Sequence, residues 1–138
     1  MPEGSCLCGE IRFRVSGPLL PVVGCHCVQC RKTSGHYWAA TATRRELLEI
    51  SGTPKWYEST PGIKRGFCGR CGSSLFWDDG GDLVSIAPGG LDEGEPPAMV
   101  GHIFCASKGS YYEVADGLPQ AAASDEEILK RGRTWRLP

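Results

Sequence analysis

The sequence predicts a mainly β protein: a single domain, residues 1–138, of short antiparallel strands with short helical pieces, stapled by zinc. Three observations carry this. Glycine (19) and proline (10) punctuate the 138 residues too often for long helices. Apolar and polar residues alternate with period two in several stretches. The eight cysteines stand mostly in tight clusters, spaced as metal ligands are.

Each element follows from its own pattern. EIRFRV, residues 10–15, puts Ile11, Phe13 and Val15 on one face and Arg12 and Arg14 on the other, a half-buried strand. LLPVVG runs as a short buried strand into Cys25. VQCRKTSG suits one or two helical turns closed by Gly35, because glycine accepts the left-handed conformation that ends a helix. HYWAATAT reads as a strand, with one of Tyr37 and Trp38 facing the core. RRELLEI fits a helical turn or a strand, SGTPK a turn, and WYES a strand. IKRGF, CGRCG and SSLFW form strand, knuckle and strand. DDGGD, with Asp78, Asp79 and Asp82, is a solvated turn before the strand LVSIA. PGGLDEGEPP is an irregular loop, MVGHIFC a strand, and KGSYYEVADGLP an extended, turn-rich piece. Ser124 and Glu127 form a capping box for a helix over about residues 125–131, with Gly132 beyond it.

Bulk properties narrow the function. A net charge of -1 supplies no field for nucleic acid. There is no apolar run of membrane-spanning length, and MPEGSCLCGE lacks the basic and apolar regions of a secretory signal. The expectation is a cytoplasmic chain with neither membrane nor nucleic-acid partners, and in a reducing compartment clustered cysteines favour metal over disulfides.

The cysteines then divide by count. Cys6 and Cys8 are C-x-C, Cys68 and Cys71 are C-x2-C, and Cys25, Cys27 and Cys30 are C-x-C-x2-C. Zinc in a closed structural site takes four ligands. Two pairs supply four sulfurs, and the glycines beside these cysteines permit tight knuckles, so Cys6, Cys8, Cys68 and Cys71 are expected to form one closed site. The remaining three cysteines lack a second pair. Three protein ligands and an open position are the pattern of a catalytic zinc. Cys105 or His26 as a fourth ligand, and a redox pair across Cys25 and Cys30, are the alternatives; in an extended C-x-C, however, His26 points away from the metal. Cys105, in the apolar HIFC, reads as a buried inert thiol.

GSCLCGEIRF, CHCVQCRKTSG, RGFCGRCGSSLFW, GGLDEG and HIFCASKGSYYEVADGLP, in that order over about residues 4–120, resemble the glutathione-dependent formaldehyde-activating enzyme (GFA) family, which includes centromere protein V. The resemblance implies a β-tent fold, shared with Rab exchange factors and methionine sulfoxide reductase B. It implies a structural zinc on Cys6, Cys8, Cys68 and Cys71 and a catalytic zinc on Cys25, Cys27 and Cys30, in agreement with the count. The family reaction it implies is a carbon–sulfur lyase chemistry, the addition of the glutathione thiol to formaldehyde to give S-hydroxymethylglutathione. The partner expected here is therefore a small thiol or thiol–aldehyde adduct, with glutathione as a co-substrate.

Arg31 and Lys32 follow Cys30 directly and are the candidates for holding a carboxylate on that ligand; the plainer reading is solvated charge on a helical turn. His102 and Lys108 are candidates for a proton carrier and an anion contact, or else a satisfied sheet histidine and a surface lysine. The rival to the enzyme is a non-catalytic zinc-binding β-module for partner binding. The intact three-cysteine cluster, with no obvious fourth protein ligand, favours the enzyme.

Overall fold

The computed structural model describes residues 1–130. In chain order these form β1 (Glu3–Ser5), β2 (Arg12–Val15), β3 (Val22–Cys25), α1 (Val28–Ser34), β4 (Trp38–Arg44), β5 (Leu48–Ser51), β6 (Lys55–Thr60), β7 (Ile63–Phe67), β8 (Ser74–Asp78), β9 (Leu83–Ile86), β10 (Leu91–Glu93), β11 (Met99–Ile103) and α2 (Glu126–Lys130). Single 3-10 turns stand at Arg45–Leu47, Pro88–Gly90 and Cys105–Ser107. Mainly β with short helical pieces is the architecture expected.

Two sheets pack face to face. One runs β10-β1-β2-β5, the other β11-β3-β4-β9-β8-β7-β6. Among the described strands all pairings are antiparallel except β11 with β3, which is parallel and sets His102 beside Gly24 and Ile103 beside Cys25. Alternation in β2 buries Phe13 and Val15 and exposes Arg12 and Arg14, as the sequence pattern requires. Their partners in the core are Leu75 and Phe76 of β8 and Val84 and Ile86 of β9, on the other sheet. Phe13 meets Phe76 edge-on at 5.5 Å between ring centroids; burying such a ring contributes roughly 2–3 kcal/mol. A second, smaller cluster joins Val23, Ile103 and Ile128, so α2 seals the β3–β11 end.

The structure amends four local readings. RRELLEI is both things in turn, a 3-10 turn and then β5. PGGLDEGEPP is not wholly irregular: Leu91 and Glu93 pair with β1, a three-residue strand the sequence pattern did not reveal, because strands this short have no alternation to read. Cys105 lies outside β11, in the 3-10 turn, half-buried. At α2 the cap is Asp125, whose Oδ1 accepts from the amides of Glu127 and Ile128 at 2.9 and 3.1 Å, in place of Ser124. The expected helix end at Gly132 lies outside the described residues.

Candidate metal centres and the adjoining cavity

Turn chemistry builds the first cluster. Cys6 and Cys8 sit in the connection between β1 and β2, and Cys68 and Cys71 in the connection between β7 and β8, one from each sheet. Gly9 and Gly72 have φ of +80°, a conformation that side-chain-bearing residues avoid, and each closes its turn with a bond to the carbonyl of Cys6 or Cys68. The sulfurs of Cys6 and Cys8 are 3.6 Å apart, and those of Cys8 and Cys68 3.7 Å. A tetrahedral zinc with 2.3 Å bonds needs sulfurs about 3.8 Å apart, so the four cysteines fit it. Amides point at the sulfurs as a thiolate site requires: Ile11 to Cys6 at 3.2 Å, and Arg70 and Cys71 to Cys68 at 3.4 and 3.5 Å. The Ser73 hydroxyl, 3.2 Å from Cys71, and backbone amides hold the Cys71 thiol down at about 5.

The second cluster stands at the end of β3 and the start of α1. Cys27 is the N-cap of α1, its sulfur accepting from the Cys30 amide at 3.3 Å, and Gly35 closes the helix at φ +86°. The sulfurs of Cys25, Cys27 and Cys30 all lie within 4.8 Å of one another, so this trio too could hold a metal ion. Cys27 is held down at about 2 by the thiols of Cys25 and Cys30 and by the amides of Cys30 and Gln29, while Cys25, the chief donor to it, is pushed far up. Three thiols this close cannot all ionise without a cation among them. That is the chemistry of a metal-ligand set. Neither His26 nor Cys105 joins either cluster among the described residues.

The three cysteines open onto a cavity of about 470 Å³. Its walls are mostly apolar, with Trp38, Ile63, Trp77, Ile103, Phe104 and Leu129 among them. Trp38 is thus the inward member of the Tyr37–Trp38 pair. Phe104 holds φ +56°, a left-handed backbone that costs a bulky residue roughly 1–2 kcal/mol. A larger concavity of about 630 Å³ crosses the other sheet, but it is lined by charged residues such as Arg12, Glu49 and Asp92 and contains no cysteine.

Among the described residues, one cation reaches the cavity. Arg65 of β7 is 9% exposed and donates to the sulfur of Cys30 at 3.5 Å, to Gln29 Oε1 at 3.3 Å and to Ser59 Oγ at 3.4 Å. Arg31 and Lys32 are not in the cavity wall: Arg31 is half-buried with no partner for its Nε among the described residues, and Lys32 is exposed at the last turn of α1. Sequence reading passed over Arg65. The signal was there, since IKRGF alternates and sets Arg65 on the same face as Ile63 and Phe67, and an arginine on an apolar strand face needs a partner. Lys108 bonds the Tyr112 carbonyl at 2.7 Å and so faces its own loop.

Fold and site together define a two-sheet β protein with a four-cysteine and a three-cysteine cluster, each of which could hold a metal ion. The profile of the family described as glutathione-dependent formaldehyde-activating enzyme matches residues 1–107. A Halomonas elongata protein named "Putative glutathione-dependent formaldehyde-activating enzyme" is 33% identical over 126 residues, covering 81% of this chain and 80% of that one. A crystal structure of a Rhodobacter sphaeroides protein superposes with a TM-score of 0.55 at 22% identity, over 70% of this chain and 99% of that one, and so shares its fold. The chain belongs to the glutathione-dependent formaldehyde-activating enzyme family.

Proposed function

We propose that this protein is a zinc-dependent carbon–sulfur lyase, or synthase in reverse, acting on a small thiol and its aldehyde adduct, and that it works in the cytoplasm. The observation that carries this is the opening of Cys25, Cys27 and Cys30 onto an apolar cavity that the buried cation of Arg65 enters. A partner-binding module has no use for such an opening. A structural zinc would sit on Cys6, Cys8, Cys68 and Cys71, and the catalytic one on Cys25, Cys27 and Cys30. Zinc there would supply the Lewis acidity that keeps a substrate sulfur ionised at neutral pH.

The chain's own residues do the rest. Arg65, bonded to the Cys30 sulfur, would offset the single negative charge that three thiolates leave around a divalent ion. Trp38, Trp77 and Phe104 exclude water, which strengthens each electrostatic contact inside. In the synthetic direction the thiol sulfur bonds to the aldehyde carbon, and the S–H proton ends on the former carbonyl oxygen. Nothing is oxidised or reduced. Arg31 and Lys32, beyond the cavity wall on α1, remain the groups proposed for the far carboxylate of a longer ligand such as glutathione. Exchange NMR of glutathione, formaldehyde and S-hydroxymethylglutathione tests the reading. The zinc-loaded protein should speed the exchange and Cys27→Ser should not; a rate equal to the spontaneous one overturns formaldehyde as substrate.

A further inference from the structure

The two faces of β3 differ in kind. Val23 and Cys25 line the cavity, whereas Gly24 and, past the strand end, His26 point the other way. His26 is fully enclosed, although both its neighbours in sequence are cysteines of the three-thiol cluster. Its Nδ1 is 2.5 Å from the hydroxyl of Tyr112, and its Nε2 is 2.9 Å from Nδ1 of His102. His102 is itself buried, and its Nε2 is 2.7 Å from Asp116 Oδ2. Asp116 Oδ1 accepts from the Leu118 amide at 3.0 Å, which orients the carboxylate.

We infer that Asp116, His102, His26 and Tyr112 form a directional hydrogen-bond chain that fixes the His26 ring and, through it, the Cys25–Cys27 segment at the spacing the three-cysteine cluster requires. These are positioning residues, and the inference rests on the proposal that this cluster holds a metal.

Direction follows from donor chemistry. An ionised carboxylate only accepts, so His102 carries its proton on Nε2. With His102 neutral, its Nδ1 accepts, and His26 must carry its proton on Nε2. His26 Nδ1 then accepts from the Tyr112 hydroxyl. Each link leaves one partner available to the next, so with both rings neutral the first link selects the tautomer of each.

Packing holds the rings in place. Tyr37 and Tyr112 lie against the His26 ring at centroid distances of 4.5 and 5.6 Å. The chain also requires room at Gly24, where a Cβ would come within 2.8 Å of His102 Nδ1. Tyr112 and Asp116 come from the return loop after β11, which is tied to His102 by bonds through Pro119 and Ala121. Three segments distant in sequence, carrying Tyr37, His102 and Tyr112, therefore converge on the one residue between two thiol ligands. Residues that orient metal ligands typically change metal affinity by roughly 10–100-fold when lost, and here the link to the cysteines is the backbone of His26.

Asp116→Asn tests this without touching the cysteines. The Leu118 amide selects the asparagine oxygen, which turns the side-chain NH2 toward His102 Nε2. His102 must then carry its proton on Nδ1 and His26 on its own Nδ1, so the chain reverses. Cobalt(II) titration of the full chain, followed by thiolate charge-transfer absorption, reads the two clusters, and nitrogen-15 NMR of the histidine rings reads the tautomers. The expected result is inversion of the His26 tautomer, a loss of roughly tenfold or more in cobalt affinity at the three-cysteine cluster, and no change at the four-cysteine cluster. Tyr112→Phe should also weaken the three-cysteine cluster, with the His26 tautomer retained. An unchanged three-cysteine isotherm in both variants, or an unchanged His26 tautomer in Asp116→Asn, overturns the inference. If Asp116→Asn does not fold, Tyr112→Phe decides alone, and an unchanged isotherm overturns the inference. A wild-type chain that binds only one cobalt overturns the proposed metal site and this inference together; two cobalts with unaffected variants overturn only the inference.

Discussion

Replacing Arg65 with methionine should move two measurable quantities in opposite directions. The guanidinium lies 3.5 Å from the Cys30 sulfur. At an effective dielectric constant near 20, opposite unit charges at that distance attract by about 4–5 kcal/mol. The charge is shared with Gln29 and Ser59 through bonds of 3.3 and 3.4 Å, so only part of this favours the thiolate. A net loss of about 1.5–3 kcal/mol matches a charged hydrogen bond, and it corresponds to a drop in zinc affinity at the three-cysteine cluster of roughly 10–100-fold. The metal-poor protein should respond differently. Arg65 is 9% exposed, and its burial costs several kcal/mol of desolvation that methionine avoids while filling similar volume. Arg65→Met with one equivalent of zinc, enough for the four-cysteine cluster, should melt at or above the wild-type temperature. Competition with a chromophoric chelator gives the affinity and circular dichroism gives the melt. Equal zinc affinity in a folded variant, or affinity and melting temperature falling together, refutes the electrostatic account.

Other outcomes follow from the same geometry. Cys68→Ser removes one sulfur of the four-cysteine cluster, which draws on turns of both sheets, and should lower the zinc-loaded melting temperature by roughly 10 °C or more, read by circular dichroism. Arg45 bonds both oxygens of Asp78 at 2.6 and 2.8 Å and holds its carboxyl below the usual range. A depressed folded-state pKa gives stability that is present at neutral pH and lost as pH falls through the carboxylate range, so Asp78→Asn should flatten the acid side of the stability curve by about 0.5–1 kcal/mol in urea melts at several pH values. Phe104→Gly relieves a left-handed backbone but opens the cavity wall; stability should change by less than about 1 kcal/mol, while calorimetry shows weaker binding of an apolar thiol to the zinc-loaded protein.

Much of the architecture was legible because its causes are local. Period-two alternation in EIRFRV, glycine after α1 and the clustered cysteines act over a few residues, and each gave the strand, helix end or knuckle that the structure holds. Strands β1 and β10 were not legible, since three residues carry no period and pairing alone makes them strands. The alternation of C-H-C sent His26 away from the sulfurs, as it does, but could not say what it would meet.

By itself, the sequence determined the class of fold, the division of seven cysteines into four and three, and the family. Those depend on residue type and spacing. Only the tertiary structure decided that Arg65 of β7 is the cation at Cys30 while Arg31 and Lys32 stay outside the cavity, because that contact spans 35 positions. The parallel pairing of β11 with β3, and the loop that follows, likewise bring His102, Tyr112 and Asp116 to His26. Such contacts arise from sheet order and register, which no short-range pattern encodes.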